Sequence, residues 1–187
     1  MKKSVNIIFS LIVILFLSSC SAPDTGQRAS IGSPDAKTLI EEFSDFQCPA
    51  CASISPQLED IAERNADIVR LEFYHFPLSY HEFAFMAAEA AECAGDLGKF
   101  WEYMNMAFSN QNSLTEDNLK SFASTLGLDT QVFDNCLDSG KKKARIKSDI
   151  YEGRSRQLSY TPSIYVNGQL VEWSDAEEIE KYIKSLE

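Results

Sequence analysis

Phe46-Gln47-Cys48-Pro49-Ala50-Cys51 stands where an apolar, strand-like run, Thr38 to Phe43, gives way to a helical pattern. Two cysteines separated by two residues at the start of a helix can close a small disulfide ring. The first sits where the helix N-terminal partial charge and its free amide N–H groups stabilise a thiolate. The thiolate is the reactive species in thiol–disulfide exchange, so the stretch is read as a dithiol active site. The competing readings are a structural disulfide and one half of a zinc site. Zinc normally needs a second Cys or His pair at comparable spacing, and the two histidines, His75 and His81, are not so arranged. Neither a metal nor a cofactor is expected.

Upstream, Lys2 and Lys3 precede an uncharged apolar run from Ile7 to Leu17. It is too short to span a bilayer and has the length of a signal-peptide core. It ends Leu17-Ser18-Ser19-Cys20, which resembles the lipobox of bacterial lipoproteins, in which the cysteine is lipidated and becomes the first residue. An ordinary cleaved signal is the alternative. The expected organisation is a signal peptide over 1–19, a lipidated Cys20 with a polar tether over 20–30, and one domain over 31–187. Two or more acyl chains would anchor stably where one would not, and ten flexible residues reach roughly 16 to 19 Å. A net charge of −11 argues against nucleic acid and against an electrostatic membrane patch. The chain has five cysteines; with Cys20 consumed by lipid, the remaining four suggest two disulfides in an exported protein.

Downstream, Ala52, Ile54, Leu58 and Ile61 form one apolar helix face ending near Asn65, with Pro56 expected to bend the helix. Ile68 to Tyr74 is a second strand. From about Tyr80 to Gln157 the pattern is helical: His81 to Ala94, Lys99 to Ser109, a helix capped by Thr115 and closed before Gly127, then Asp129 to Leu137 and Lys141 to Arg156. Strand pattern returns at Ser163 to Val166, and Asn167-Gly168 signals a hairpin to Gln169-Leu170-Val171. Ser174 with Glu177 is read as a capping box for the last helix, Asp175 to Leu186.

A strand, Cys-x-x-Cys opening a helix, a helical block, then Thr161-Pro162 before a hairpin and a final helix: this resembles the α/β thioredoxin fold as elaborated in the DsbA-like disulfide oxidoreductases. Phe43-Ser44-Asp45-Phe46-Gln47-Cys48-Pro49 is similar to that family's active-site approach. The resemblance implies an all-helical block, about 80–157, inserted between the second strand and the cis-proline strand. It implies a cis bond at Thr161-Pro162 that helps hold substrate, and a buried Glu42 beneath the second cysteine to handle a proton. It also implies a second disulfide, Cys93–Cys136, within the helical block, against the alternative of two buried free thiols. Two departures stand out. Ala50 replaces the histidine of the best-known oxidases, which should raise the Cys48 pKa and lower the reduction potential; Tyr160 stands where many relatives have glycine.

The remaining groups have structural readings. His75 is the strand's exit residue, and His81 a surface residue opening a helix. Phe83, Phe85, Phe100, Trp101 and Phe108 are helix core, and Lys141-Lys142-Lys143 is a solvated face. The expectation is an extracytoplasmic, lipid-anchored thiol–disulfide oxidoreductase, on the periplasmic or outer-surface side. Its catalytic residues are Cys48, Cys51 and Glu42, supported by Pro49 and Ala50, with substrate at Thr161 and Pro162. Its partners are reduced or misoxidised exported proteins and, by the resemblance, a membrane-embedded quinone-linked protein that reoxidises it. The alternatives are a reductase or isomerase of the same fold and a non-catalytic binding lipoprotein.

Overall fold

The computed structural model describes residues 28–172 and 175–186. The signal, the Cys20 lipidation site and most of the tether lie outside the described residues, as does Ser174. Among the described residues no helix is long and apolar enough to cross a membrane.

A five-stranded sheet organises the chain: β1 (Ser30–Ile31), β2 (Thr38–Ser44), β3 (Val69–His75), β4 (Ser163–Val166) and β5 (Gln169–Leu170). Its order is β1-β3-β2-β4-β5, with β2 and β3 parallel and every other pair antiparallel. The parallel pair is joined through α1 (Pro49–Arg64), as a parallel connection requires. Both faces of β2 are covered, so all of it but Leu39 is buried, and alternation assigns each residue to a layer. Ile40 joins Ile54, Leu58 and Ile61 of α1 and Ile179 and Ile183 of the last helix, α7 (Ala176–Lys184). On the opposite face Phe43 packs with Tyr74, Phe76 and Tyr165.

The inserted block comprises α2 (Ala84–Asp96), α3 (Phe100–Ser109), a 3₁₀ turn at Gln111–Ser113, α4 (Glu116–Thr125), α5 (Thr130–Ser139) and α6 (Lys143–Ser155). Ala87, Ala88, Ala90, Ala91 and Ala94 of α2 are buried, and such small side chains let neighbouring helices approach. The expected aromatic core is present: Phe100 and Phe108 are buried, and Phe83, Phe85 and Trp101 pack against the same cluster. Cys93 of α2 and Cys136 of α5 are bonded, with an S–S distance of 2.04 Å. Helix α6 lies tightly on the sheet, because a Cβ at Gly153 would come within 2.5 Å of the Phe76 ring. The Asn167-Gly168 turn has φ of 49° and 77°, the two positive values of a type I′ hairpin.

Several expectations are corrected. Ser30, placed in the tether, pairs with Glu72 as part of β1. Just before it, Arg28 donates to Asp149 at 3.0 Å and lies 3.2 Å over the Tyr74 ring. Helix α2 begins at Ala84 rather than His81. The N-cap of α7 is Asp175, whose carboxylate accepts from the N–H of Glu178 at 2.9 Å, so the cap lies one residue after the Ser174 expected. Thr115 holds the N-cap position of α4 without a side-chain capping bond. Lys142 is not part of a solvated face: it is buried, and its ammonium donates to Asp96 at 2.5 Å.

Candidate active site

Cys48 is the N-cap of α1, extended at φ −82° and ψ 119°, and Pro49 opens the helix behind it. Proline suits that position because its missing N–H would be unsatisfied there and its φ is already helical. Cys51, one turn on, is fully covered, whereas Cys48 keeps an 8% exposed edge. Both are thiols. The Cys48 sulfur lies 3.3 Å from the carbonyl oxygen of Thr161, to which its protonated form donates, and the Cys51 sulfur accepts from the N–H of Asp45 at 3.5 Å. The Thr161–Pro162 bond is cis, and both residues are buried. A hollow of about 230 Å³ opens beside them, lined by Tyr160, Thr161, Pro162, Val171 and Glu172. Tyr160 is exposed.

The two sulfurs are pulled in opposite directions. The Cys51 thiol donates to Cys48 and draws its pKa down to about 5; burial opposes this, and the Thr161 side chain and the backbone N–H groups of Cys51 and Ala50 add to the lowering. Cys51 is pushed well above the ordinary thiol range, first by burial, then by its bond to Cys48 and by the charge of Glu42. The accessible sulfur is therefore an anion at neutral pH and the covered one a neutral thiol.

Glu42 lies in β2 on the α1 face and is fully buried. Burial pushes its carboxyl up to about 7, against the lowering effect of Ser55 and Ser44. The Ser55 hydroxyl donates a short hydrogen bond to Oε1, and Ser44 and Ser55 hydroxyls stand 3.3 Å apart. Adjacent Glu41 faces the other layer, where Arg156 binds it with two hydrogen bonds of 2.7 and 3.1 Å. Two neighbouring acids are thus divided between a two-bonded contact with Arg156 and a buried carboxyl raised to about 7.

The loop before Cys48 contains groups the sequence analysis did not single out. Asp45 is buried, and its carboxylate accepts from the N–H of Gln47 at 2.7 Å, the N–H of Leu78 at 2.7 Å and Nδ1 of His81 at 2.8 Å. His81 is thus tied to the redox loop instead of being a surface residue that opens a helix. Gln47 Oε1 accepts from the N–H of Phe83 at 2.5 Å, and Gln111 reaches the loop from the 3₁₀ turn. His75 does end β3, but it is buried against Glu92 at 3.0 Å. Burial raises the Glu92 carboxyl, while His75, Arg145 and Lys142 outweigh it and hold the group below its ordinary value. Among the described residues no group of three or more His, Cys, Asp or Glu side chains could hold a metal ion.

The family model described as Thioredoxin matches residues 24–185. Among curated proteins, the chain is 32% identical over 141 residues to the Na(+)/H(+) antiporter NhaA 1 of Mycolicibacterium gilvum, and 34% identical over 139 residues to that of Salinispora arenicola. In each case 74% of this chain is aligned, but only 23% and 21% of the relative. The chain thus spans less than a quarter of the length of these relatives. Among solved structures, a thioredoxin-like oxidoreductase from Silicibacter pomeroyi superposes with a TM-score of 0.75 at 20% identity, covering 89% of this chain and 98% of that one. BdbD from Bacillus subtilis gives 0.71 at 23%, covering 84% and 91%, and DsbA2 from Pseudomonas aeruginosa 0.67 at 25%, covering 87% and 97%. The chain belongs to the thioredoxin superfamily, whose model covers it from residue 24 to 185, and its fold is that of the DsbA-like members among these structures.

Proposed function

We propose that this chain is an extracytoplasmic thiol–disulfide oxidoreductase that donates a disulfide to exported proteins, held at a membrane by lipid on Cys20. The observation that carries the reading is the opposite displacement of the two sulfurs, Cys48 toward thiolate and Cys51 toward thiol. In the oxidised enzyme a substrate thiolate attacks Cys48, and Cys51 leaves as the other half of the broken bond. Cys51 then takes a proton, for which Glu42, poised near 7, is the nearby source. A second substrate thiolate attacks the substrate sulfur of the mixed disulfide and expels Cys48. The substrate loses two electrons, the enzyme gains them, and a stable Cys48 thiolate makes a good leaving group. Thr161 and Pro162 position the substrate chain beside Cys48. A membrane-embedded, quinone-linked protein would take the two electrons and restore the disulfide. Cys48→Ala should abolish oxidation of a reduced model substrate, and undiminished exchange by that variant would overturn the assignment.

Ala50 favours a second reading, a reductase or isomerase running the same chemistry in the other direction. The reduction potential against glutathione separates the two. A value near that of the strong periplasmic oxidants supports donation, and one near thioredoxin supports reduction.

A further inference from the structure

Gln111 sits in the 3₁₀ turn after α3, and its Nε2 lies 2.9 Å from the carbonyl of Phe46 and 2.8 Å from that of Cys48. An amide nitrogen carries two N–H donors, and only that end of the side chain can face two carbonyl oxygens. Both donors are therefore spent on the backbone of the redox loop. The Cys48 carbonyl is the N-cap acceptor of α1, already taking the Ala52 N–H at 3.2 Å.

We infer that Gln111 is a positioning residue for the Cys48 nucleophile, the point through which the helical insertion sets the aim of the sulfur. The inference rests on the proposed exchange activity. Ala50 offers no side-chain donor to the sulfur, so beyond Cys51 and Thr161 the thiolate depends on the backbone N–H groups of Ala50 and Cys51. Such stabilisation falls off within the first helical turn, so it depends on how the Cys48 peptide is oriented. Gln111 fixes that peptide from the insertion side. Its own turn is anchored in the core: Leu114 is buried, and Phe108 packs at a tilt against Phe46 with ring centroids 4.9 Å apart. Asp45 and Gln47 fix the preceding residues through Leu78, His81 and Phe83, which leaves the Phe46 and Cys48 carbonyls to Gln111. Gln111 does not touch the sulfur and acts only through the backbone.

The test is the rate of Cys48 alkylation by iodoacetamide against pH in the reduced protein, where buried Cys51 stays protonated. Gln111→Leu removes both donors at similar volume, and Gln111→Glu sets oxygens against the two carbonyls. Each should slow alkylation at pH 5.5 by roughly threefold to tenfold, with the larger effect for Glu, and leave the rate at pH 9 unchanged, where the thiolate is fully formed in all. A role confined to packing would lower the melting temperature and leave the pH profile where it was. If Gln111→Leu does not fold, Gln111→Asn serves, since its shorter amide cannot span both carbonyls. Variant profiles coinciding with a shifted wild-type profile overturn this inference alone. A wild-type profile at the ordinary thiol value overturns the proposed activity itself.

Discussion

The Cys48 sulfur stands 3.3 Å from the carbonyl oxygen of Thr161, across 113 residues of sequence. The start of α1 and the entry to β4 thus meet at one atom. The Thr161 backbone is held beside the one sulfur of the pair with an exposed edge.

The reduction potential should fall by about 30 mV per pH unit between roughly pH 6 and 8, the slope of one proton per two electrons, in place of about 59 mV for two. Cys48, at about 5, stays a thiolate over that range, and Cys51, pushed up, takes the single proton. The sign follows from a depressed pKa: the thiolate's contribution to the reduced form is fully present above the unfolded thiol value and is lost as pH falls through about 5. Equilibration with a dithiol of known potential at three pH values checks it, and a two-proton slope across the range would contradict a low Cys48 pKa.

Ala50→His should make the pair more oxidising. The position is exposed, so an imidazole fits without repacking. A cation there stabilises the Cys48 thiolate and with it the reduced form. Each tenfold change in the exchange equilibrium with glutathione corresponds to about 30 mV, and a rise of one such step is expected. An unchanged potential would mean that backbone donors already saturate the sulfur.

Glu42→Gln should stabilise the oxidised protein at alkaline pH and change little at acid pH. A buried carboxyl raised from 4.5 to about 7 contributes stability that is complete below 4.5 and is lost as pH rises through about 7. The amide cannot ionise, so the variant's unfolding free energy should exceed wild type by on the order of 1–3 kcal/mol at pH 9. Urea melts at pH 5 and pH 9 measure the difference; parallel losses in both proteins would show that Glu42 does not titrate in that window.

Replacing Cys93 and Cys136 by alanine should cost up to about 4 kcal/mol in the chain-entropy model and leave Cys48 alkylation unaffected. The bond spans a sequence separation of 43 and ties α2 to α5 within the helical block. A changed alkylation profile with an intact fold would show that the two sulfur pairs communicate.

Much of this architecture is legible in the chain itself. The periodicity around Cys48 and the Asn167-Gly168 turn carry strong local signals, and the resemblance supplies Thr161-Pro162, Glu42 and Cys93–Cys136. What was missed is non-local or too short to be periodic. Two residues of β1 cannot display alternation, and their strand is made by Glu72 and Leu71 across the pairing. His81 looks like a helix opener until Asp45, 36 residues earlier, claims its ring. Gln111 has no motif, because its meaning lies in two carbonyls more than 60 residues away. Lys142 sits in a run of three lysines; Lys141 and Lys142 both reach Asp96, and only the packing around Lys142, which buries its stem, sets it apart.

The complete covering of Cys51 has a consequence for timing. Once Cys48 is joined to another protein, the sulfur that can cut the bond from within is shielded from every small thiol in the surroundings. On the proposed mechanism Cys51, held as a neutral thiol by its burial, does not cut the joined state back from within, so the bond waits for the second thiol of the protein already attached.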